Sequence, residues 1–392
     1  MENGELRVEN GSAWREVRLG DVIELIIDHR GKTPKKLGGD WSLNGYRAIS
    51  AKTVKNGVLV NEDKMNILPK NLYQQWMKEE VKYGDIFLTS EAPLGEHLIW
   101  KSYEKVILSQ RIFGIRTNKT IINPFYFNYF IDSPYYQHEL TCRESGSTVT
   151  GIKQSELLKT RILFPPLPEQ KAIAEVLSAL DDKIDLLHRQ NKTLEQMAET
   201  LYERWVSDKE YDSSIKDLVN IQNGYAFKSK DFQEFGSDRI LKIKNISRCI
   251  VDIQITDFVS SKTIAKVDDR FFINEGDVLF AMTGAKIGKM GIIPKTENPL
   301  WLNQRVGLFK EKYKGARFFA YLHLKSDWGL DYIENTATGS AQPNISRTGI
   351  ESCEFPKFGY DEIKEYSEQL GLLFDGVIFN LGKIHTLQSL RD

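Results

Sequence analysis

Cysteine is scarce in this chain. Cys142, Cys249 and Cys353 are odd in number and far apart, which argues against a disulfide framework and against a cysteine-based zinc site. The six histidines (His29, His97, His138, His188, His323 and His385) are equally scattered and suggest no metal cluster. No apolar run approaches the roughly 18 residues that a bilayer span needs. The polar, acidic start MENGELRVENGSAW lacks the apolar core of a secretion signal. Charge of one sign is missing overall, since 53 Lys and Arg face 54 Asp and Glu, a net of −1. These absences lead to the expectation of a reduced, cytoplasmic, globular protein without a structural metal. Its 392 residues suffice for two or three domains.

The neutral total hides a separation of sign. Residues 1–165 carry 23 basic and 20 acidic side chains, and residues 211–360 carry 21 and 18, so each stretch is +3. Residues 166–210 carry 6 and 10, and residues 361–392 carry 3 and 6, giving −4 and −3. Two mildly basic globular parts alternate with two acidic parts. An excess of +3 is too small to identify a partner by itself.

The first acidic part is a heptad helix. Core-compatible residues fall at Ile173, Leu177, Leu180, Ile184, Leu187, Asn191, Leu194, Ala198, Leu201 and Trp205. Steps of four and three alternate throughout, the 3.5-residue period of a coiled-coil seam. About 39 residues at 1.5 Å each make a rod of about 58 Å, which acts as a spacer and needs a second helix to cover its seam. Pro165, Pro166 and Pro168 hold an extended approach, Pro168 suits the first helical position, and Glu169 suits the positive first turn. Asn191 at a core position reads as a register-setting residue.

The globular parts repeat each other. Gly84-Asp85-Ile86 returns as Gly276-Asp277-Val278, Gln110-Arg111 as Gln304-Arg305, Gly146-Ser147 as Gly339-Ser340, and Phe164-Pro165 as Phe355-Pro356. All four pairs share one order and nearly one offset. Each Phe-Pro precedes a helix, so the repeat unit is a domain of about 150 residues followed by a helix. Short β-rich runs (Val22–Ile27, Ile86–Leu88, Val106–Ile115, Ile240–Ile243, Val278–Ala281, Val306–Phe309) alternate with Gly, Pro and Asn punctuation, an α+β pattern. Ser207–Ser214 has no apolar period and reads as a linker. The second helix must return along the first to bury its seam, which predicts an antiparallel pair with a domain near each end. Gly371, Gly376 and Gly382 interrupt this second helix, each costing roughly 1 kcal/mol relative to alanine. It should therefore lean on the first.

No nucleophile, base and metal constellation is evident. Asn123-Pro124-Phe125-Tyr126 is one proline short of an amino-methyltransferase loop, with no Gly-rich cofactor loop upstream, and reads as a helix start. Gly284-Ala285-Lys286-Ile287-Gly288-Lys289 is one residue short of a phosphate loop, and Met290 stands where Ser or Thr would bind magnesium. The loops look like those of a binder. Lys32, Lys35 and Lys36 in the first half match Lys228 and Lys230 in the second, and Lys52 and Lys55 match Lys242 and Lys244. Arg143, Ser145, Ser147 and Thr148 lie in one Gly-Ser loop, and Gln342 and Asn344 in its counterpart. Lysines suit phosphate, while Arg, Gln and Asn can read base edges. Surface loops are commonly rich in the same residues, so the pattern alone does not decide.

Phe164-Pro-Pro-Leu-Pro-Glu-Gln170, Leu180-Asp181 and Ile184-Asp185 in the heptads, and the close Leu201-Tyr-Glu-Arg-Trp205 resemble the central region of type I restriction–modification specificity subunits. The likeness covers the whole chain, including the Gly-Asp-Ile strand and the Gly-Ser loops. It implies an α+β fold of two similar target-recognition domains, separated by two long helices in an antiparallel coiled coil, as a pseudo-twofold tandem repeat. The domains would be 1–165 and 211–360, with helical regions 166–210 and 361–392. It further implies a non-catalytic subunit on double-stranded DNA, each domain reading half of a bipartite, asymmetric target. Leu177, Leu180, Ile184, Leu187, Asn191, Leu194, Leu201 and Trp205 would serve the coiled coil and dock two modification subunits. Two restriction subunits could join. S-adenosylmethionine, ATP and magnesium would sit on those partners, none on this chain, and no membrane is involved.

Two other classes stay open on the residues alone. A coiled-coil scaffold could bind proteins through its globular ends. A self-contained methyltransferase would need the S-adenosylmethionine loop that is missing here.

Overall fold

Every residue of Ile86–Ser90 and of Ile112–Thr117 is buried, because the sheet they form is covered on both faces. Ile86 and Leu88 point into one apolar core with Phe113 and Ile115, while Phe87 points into another with Ile27 and Ile107. The period of two places successive side chains on opposite faces. The computed structural model describes residues 5–7, 13–146, 150–247, 249–339 and 342–392, and the chain divides into two units, Met1–Ala179 and Leu180–Asp392.

In the first unit the four-stranded sheet runs Ile23–Asp28, Ile112–Thr117, Ile86–Ser90, Leu94–Ile99, all antiparallel. In the second unit the same order recurs as Val219–Asn223, Val306–Glu311, Val278–Ala281, Met290–Ile292, extended by Cys249–Val251 and Ile246–Ser247. A second small sheet repeats as well. Ile107–Leu108 pairs in parallel with Tyr46–Ile49, as Leu300–Leu302 does with Asp238–Leu241. The tandem repeat inferred from short strings is thus a repeat of topology.

Two expectations about strands need correction. Val106–Ile115 is not one strand: a turn at Gln110-Arg111, with Arg111 at φ +63°, sends its two parts into different sheets. Ser207–Ser214 is not simply a linker, since Tyr211–Ser214 pairs antiparallel with Glu354–Pro356. That strand is short and Tyr211 and Asp212 in it are exposed, so it carries no apolar period to read.

The central helix spans Leu167–Val206. Its first turns belong to the first unit, where Ile173 and Ala174 join the core. Gln170, fully buried, locks it there: its side-chain oxygen accepts from Asn123 N at 2.8 Å, and Nε2 donates to Pro165 O at 2.8 Å and Ile121 O at 3.1 Å. Leu177 is half-buried in the same unit. From Leu180 onward the helix belongs to the second unit. There Ile184, Leu187, Asn191 and Ala198 are buried, while Leu180, Leu194, Leu201 and Trp205 are half-buried.

The C-terminal helix, Tyr360–Arg391, runs antiparallel to this stretch. Asp181 pairs with Arg391 at 3.0 Å, Asn191 with Asn380 at 2.9 Å, and Trp205 stacks on Tyr366 at 4.1 Å. As one number rises the other falls by nearly the same step. The Asn191–Asn380 bond is buried, and a slip of either helix would leave both amides facing apolar neighbours, so it fixes register. Two of the interior glycines, Gly376 and Gly382, are close contact points. A Cβ on Gly376 would lie 3.1 Å from Leu194 Cδ1, and one on Gly382 would lie 2.8 Å from Lys295 Cβ. Gly315, at φ +85°, lets the same helix pass: a Cβ there would lie 1.9 Å from Ser367 O.

One window of this helix is apolar enough in composition to cross a bilayer, contrary to the expectation that no such run exists. Packing accounts for much of that apolarity. Leu370, Phe374, Val377, Ile378, Leu381 and Ile384 are buried in the core of the second unit, with Phe374 stacked on Phe318 at 4.5 Å.

Tyr202, one step off the heptad seam, ties the central helix to the second domain. Its hydroxyl donates to His323 Nδ1 at 2.7 Å, and His323 Nε2 donates to Glu354 O at 2.7 Å. With Nε2 donating to a carbonyl, the neutral ring leaves Nδ1 free to accept from the tyrosine hydroxyl. Burial pushes the His323 pKa down to about 4 from the ordinary 6.5. Above pH 6.5 both folded and unfolded chains are neutral here, and the full stability is present. As pH falls from 6.5 toward 4, only the unfolded chain takes up the proton, so stability is lost, by up to about 3 kcal/mol. Urea unfolding of the second unit at pH 7 and pH 5 should show this loss, and His323→Gln should flatten it. An unchanged pH profile in that variant would contradict the assignment.

Candidate nucleic-acid interface

The sheet has two unlike ends in each unit. At one end of the first unit the chain leaves Ile23–Asp28, leaves Ile86–Ser90, returns at Leu94 and enters Ile112–Thr117. At the other end Asn118 N donates to Val22 O at 2.9 Å, and the helix Pro124–Ile131 and the Gln170 lock follow. The second unit has the same polarity, with Lys312 N on Leu218 O at 3.0 Å and Gly315 against the C-terminal helix. The long helices adjoin one end, and the other end is made mainly of connecting loops, with Gln137 and Ile333 of shorter helices reaching Gly95 and Gly288 there.

Backbone bonds knit the loop end together. In the first unit Gly151 forms bridges to both Ser145 and Glu91, and Ile152 N donates to Ser90 O at 2.9 Å. In the second, Asn344 bridges Thr338 and Thr283, and Ile345 N donates to Met282 O at 3.0 Å. The two Gly-Ser loops are therefore pinched in the same way onto the turn after the same strand. Gly146 and Gly339, at φ +124° and +96°, supply the bend that residues with a Cβ resist. The near-phosphate loop is part of this arrangement: Gly284 N donates to Pro343 O at 2.8 Å, and Lys286 Nζ donates to Lys244 O and Ile246 O at 2.8 and 2.9 Å. It is a structural turn.

The basic residues picked out by sequence fall into two groups. Lys35, Lys36, Lys52, Lys55, Lys228 and Lys230 are exposed on the loop end, with Lys36 Nζ folded back on Gly31 O at 2.7 Å. Ser145, Gln342 and Asn344 are exposed there too. The others are engaged by the protein. Lys32 Nζ donates to Trp76 O at 2.6 Å, and burial and Lys78 hold its pKa below the ordinary value. Arg143 lies between Glu139 at 3.3 Å and Glu156 at 3.9 Å. Lys242 and Lys244 share Asp257, at 3.1 and 2.9 Å. Burial works against the Asp257 carboxylate, but the bonds from Lys244 and Lys242 prevail and hold its pKa below the ordinary value. Ser147 and Thr148 lie outside the described residues.

Sequence reasoning passed over the centre of this end. Gln110 and Arg111, and equally Gln304 and Arg305, are exposed on the turn that leads into the strand lying between two others. Ala51 N donates to Gln110 O at 3.3 Å and Ser90 N to Arg111 O at 2.9 Å, so neighbouring loops are built onto this turn. The recurrence of Gln-Arg at the common offset was the available signal. The arrangement presents cations, amides and hydroxyls on a rigid sheet end, suited to phosphate and base edges.

Comparison with known proteins agrees with this geometry. The family of type I restriction modification DNA specificity domains matches residues 11–196 and again 207–356. The MjaVIII type I restriction enzyme specificity subunit of Methanocaldococcus jannaschii is 26% identical over 91% of this chain and 85% of its own length. The MjaIX specificity subunit of the same organism is 23% identical over 92% and 83%. A crystal structure of a type I restriction–modification S subunit from M. genitalium shares the fold, with a TM-score of 0.59 over 100% of this chain and 97% of that one, at 13% identity.

The shared carboxylate at Asp257 yields a test of the electrostatics. Asp257→Asn should release roughly two cations at the loop end and raise the salt concentration that elutes the chain from an immobilised polyanion such as heparin. Unchanged elution would place Lys242 and Lys244 outside the polyanion-binding surface.

Proposed function

The chain belongs to the type I restriction–modification DNA specificity family, and on that premise we propose that its two units each read one half of a bipartite, asymmetric DNA target. It is a DNA-specificity subunit. The observation that supports two unlike half-sites is the loop end itself. One scaffold recurs with the same topology and the same pinched Gly-Ser loop, while the residues it presents differ between the units. A reader built twice with different loops suits two different short sequences. The helical part would set the length of the unread spacer between them.

The helices also offer a docking face for two modification subunits. Leu372, Phe379 and Leu390 are exposed at 74%, 57% and 68%. They lie seven and eleven residues apart, spacings that return to one side of a helix. Leu186 and Met197 are exposed on the central helix. Scattered exposed leucines are ordinary, whereas a stripe of them marks an interaction surface. S-adenosylmethionine would act on the modification subunits, and ATP and magnesium on two restriction subunits that join the complex. The chain itself would hold no cofactor and would work in the cytoplasm, on DNA.

Selection from a random duplex pool by the chain assembled with its modification subunits tests this reading. The enriched sequences should hold two short defined parts at a fixed separation, and affinity should fall steeply with salt as counterions are released. Phe379→Glu with Leu372→Glu should abolish assembly with the modification subunits while leaving the fold of the chain intact. Ungapped selected sequences, or salt-independent binding, would overturn the proposal.

A further inference from the structure

The Gln-Arg turn holds the same place in both units, although only Arg111 takes a left-handed backbone conformation and the loops around the turn differ. Gln110-Arg111 and Gln304-Arg305 lead into equivalent strands, and each arginine carbonyl accepts the equivalent bond, from Ser90 N at 2.9 Å and from Met282 N at 3.3 Å. The surrounding residues have diverged. Ser90-Glu91-Ala92-Pro93 stands in one unit where Met282-Thr283-Gly284-Ala285 stands in the other. Bridges from Glu91 to Gly151 and from Thr283 to Asn344 establish that Glu91 and Thr283 are counterparts.

We propose that this turn is the contact shared by both half-sites, Arg111 and Arg305 each gripping a DNA phosphate with the neighbouring glutamine, and that Glu91 weakens the first grip relative to the second. The inference rests on the DNA-reading function above. Two units that read different bases both face the same sugar-phosphate backbone, and exposed cationic and amide side chains that recur at one place in both suit that shared contact. Arg111 also sits at φ +63°, a left-handed conformation in which glycine would be relaxed and arginine is strained. An arginine kept in that conformation points to a need for its side chain. Glu91 Oε1 lies 2.9 Å from Arg111 Nε, and both side chains are partly exposed. A phosphate arriving at Arg111 must share it with that carboxylate, and the two anions repel. Arg305 has no ion-pair partner among the described residues, and Thr283 carries no charge.

The test is duplex binding by the full chain assembled with its modification subunits, measured against salt on a selected target and on a scrambled duplex. Arg305→Ala should weaken both duplexes alike, about five- to tenfold, and lower the slope of log affinity against log salt by about one. Arg111→Ala should do the same to a smaller extent. Glu91→Thr should tighten both duplexes and steepen the slope, and should have no effect once Arg111 is alanine. Arg111→Lys should restore most of the loss, and Arg111→Gly should weaken binding while raising the melting temperature, which separates contact from misfolding. Loss confined to the selected target would make these arginines base readers and overturn the proposal. So would unchanged binding in both arginine variants, or a Glu91→Thr effect that persists without Arg111. A wild-type complex that binds neither duplex would overturn the DNA-reading function as well.

Discussion

A helix with an apolar seam as long as that of Leu167–Val206 cannot stand in water unpaired, and the rest of the fold follows from how that seam is covered. The first turns are covered by the core of the first unit, with Gln170 satisfying backbone groups that would otherwise be orphaned. From Leu180 onward two surfaces share the task. The C-terminal helix covers one side, and the second domain covers another through Tyr202, Phe319 and the salt bridges of Lys325 to Glu195 and Glu199. Each fully buried leucine or isoleucine contributes on the order of 1.5–3 kcal/mol, so Ile184, Leu187, Leu370, Phe374 and their neighbours outweigh the glycines of the C-terminal helix. Apolar burial supplies strength, and Asn191–Asn380 supplies register.

The same constraint separates the two jobs of each domain. The long helices adjoin one end of each sheet and leave the other end mainly to loops. Loops built on the ends of buried strands are held by the sheet while their side chains remain free to vary. This lets one scaffold be used twice in a chain and read differently each time. The acidic charge lies on the helices and the basic excess on the domains, so a polyanion is drawn to the domains and discouraged from the helical part.

Much of this was legible in the sequence, and the reasons differ by element. The 3.5-residue period of the central helix survives in the residues because each seam position is used by packing. The tandem repeat survived in four short strings because Gly-Asp, Gly-Ser and Phe-Pro mark turns that the topology demands in both units. Tyr211–Ser214 was missed because an exposed edge strand needs only backbone bonds. The break in Val106–Ile115 was missed because Arg111 takes a conformation that glycine usually announces. The loop lysines could be named but not sorted. Whether a lysine is spent on Asp257 or Trp76, or left in solvent, depends on contacts from distant parts of the chain. Gly376 and Gly382 of the C-terminal helix read as defects because their use is to admit Leu194 and Lys295 at close range, which no local pattern reveals.

The central claim is that a doubled reader, joined by one helical element, recognises two unlike short sequences at a fixed separation. Mapping methylated bases across the host genome, with the chain present and with it deleted, tests this most directly. The account predicts a gapped, two-part, asymmetric motif that is methylated only when the chain is present. An ungapped or palindromic motif, or a methylation pattern indifferent to the deletion, would contradict it.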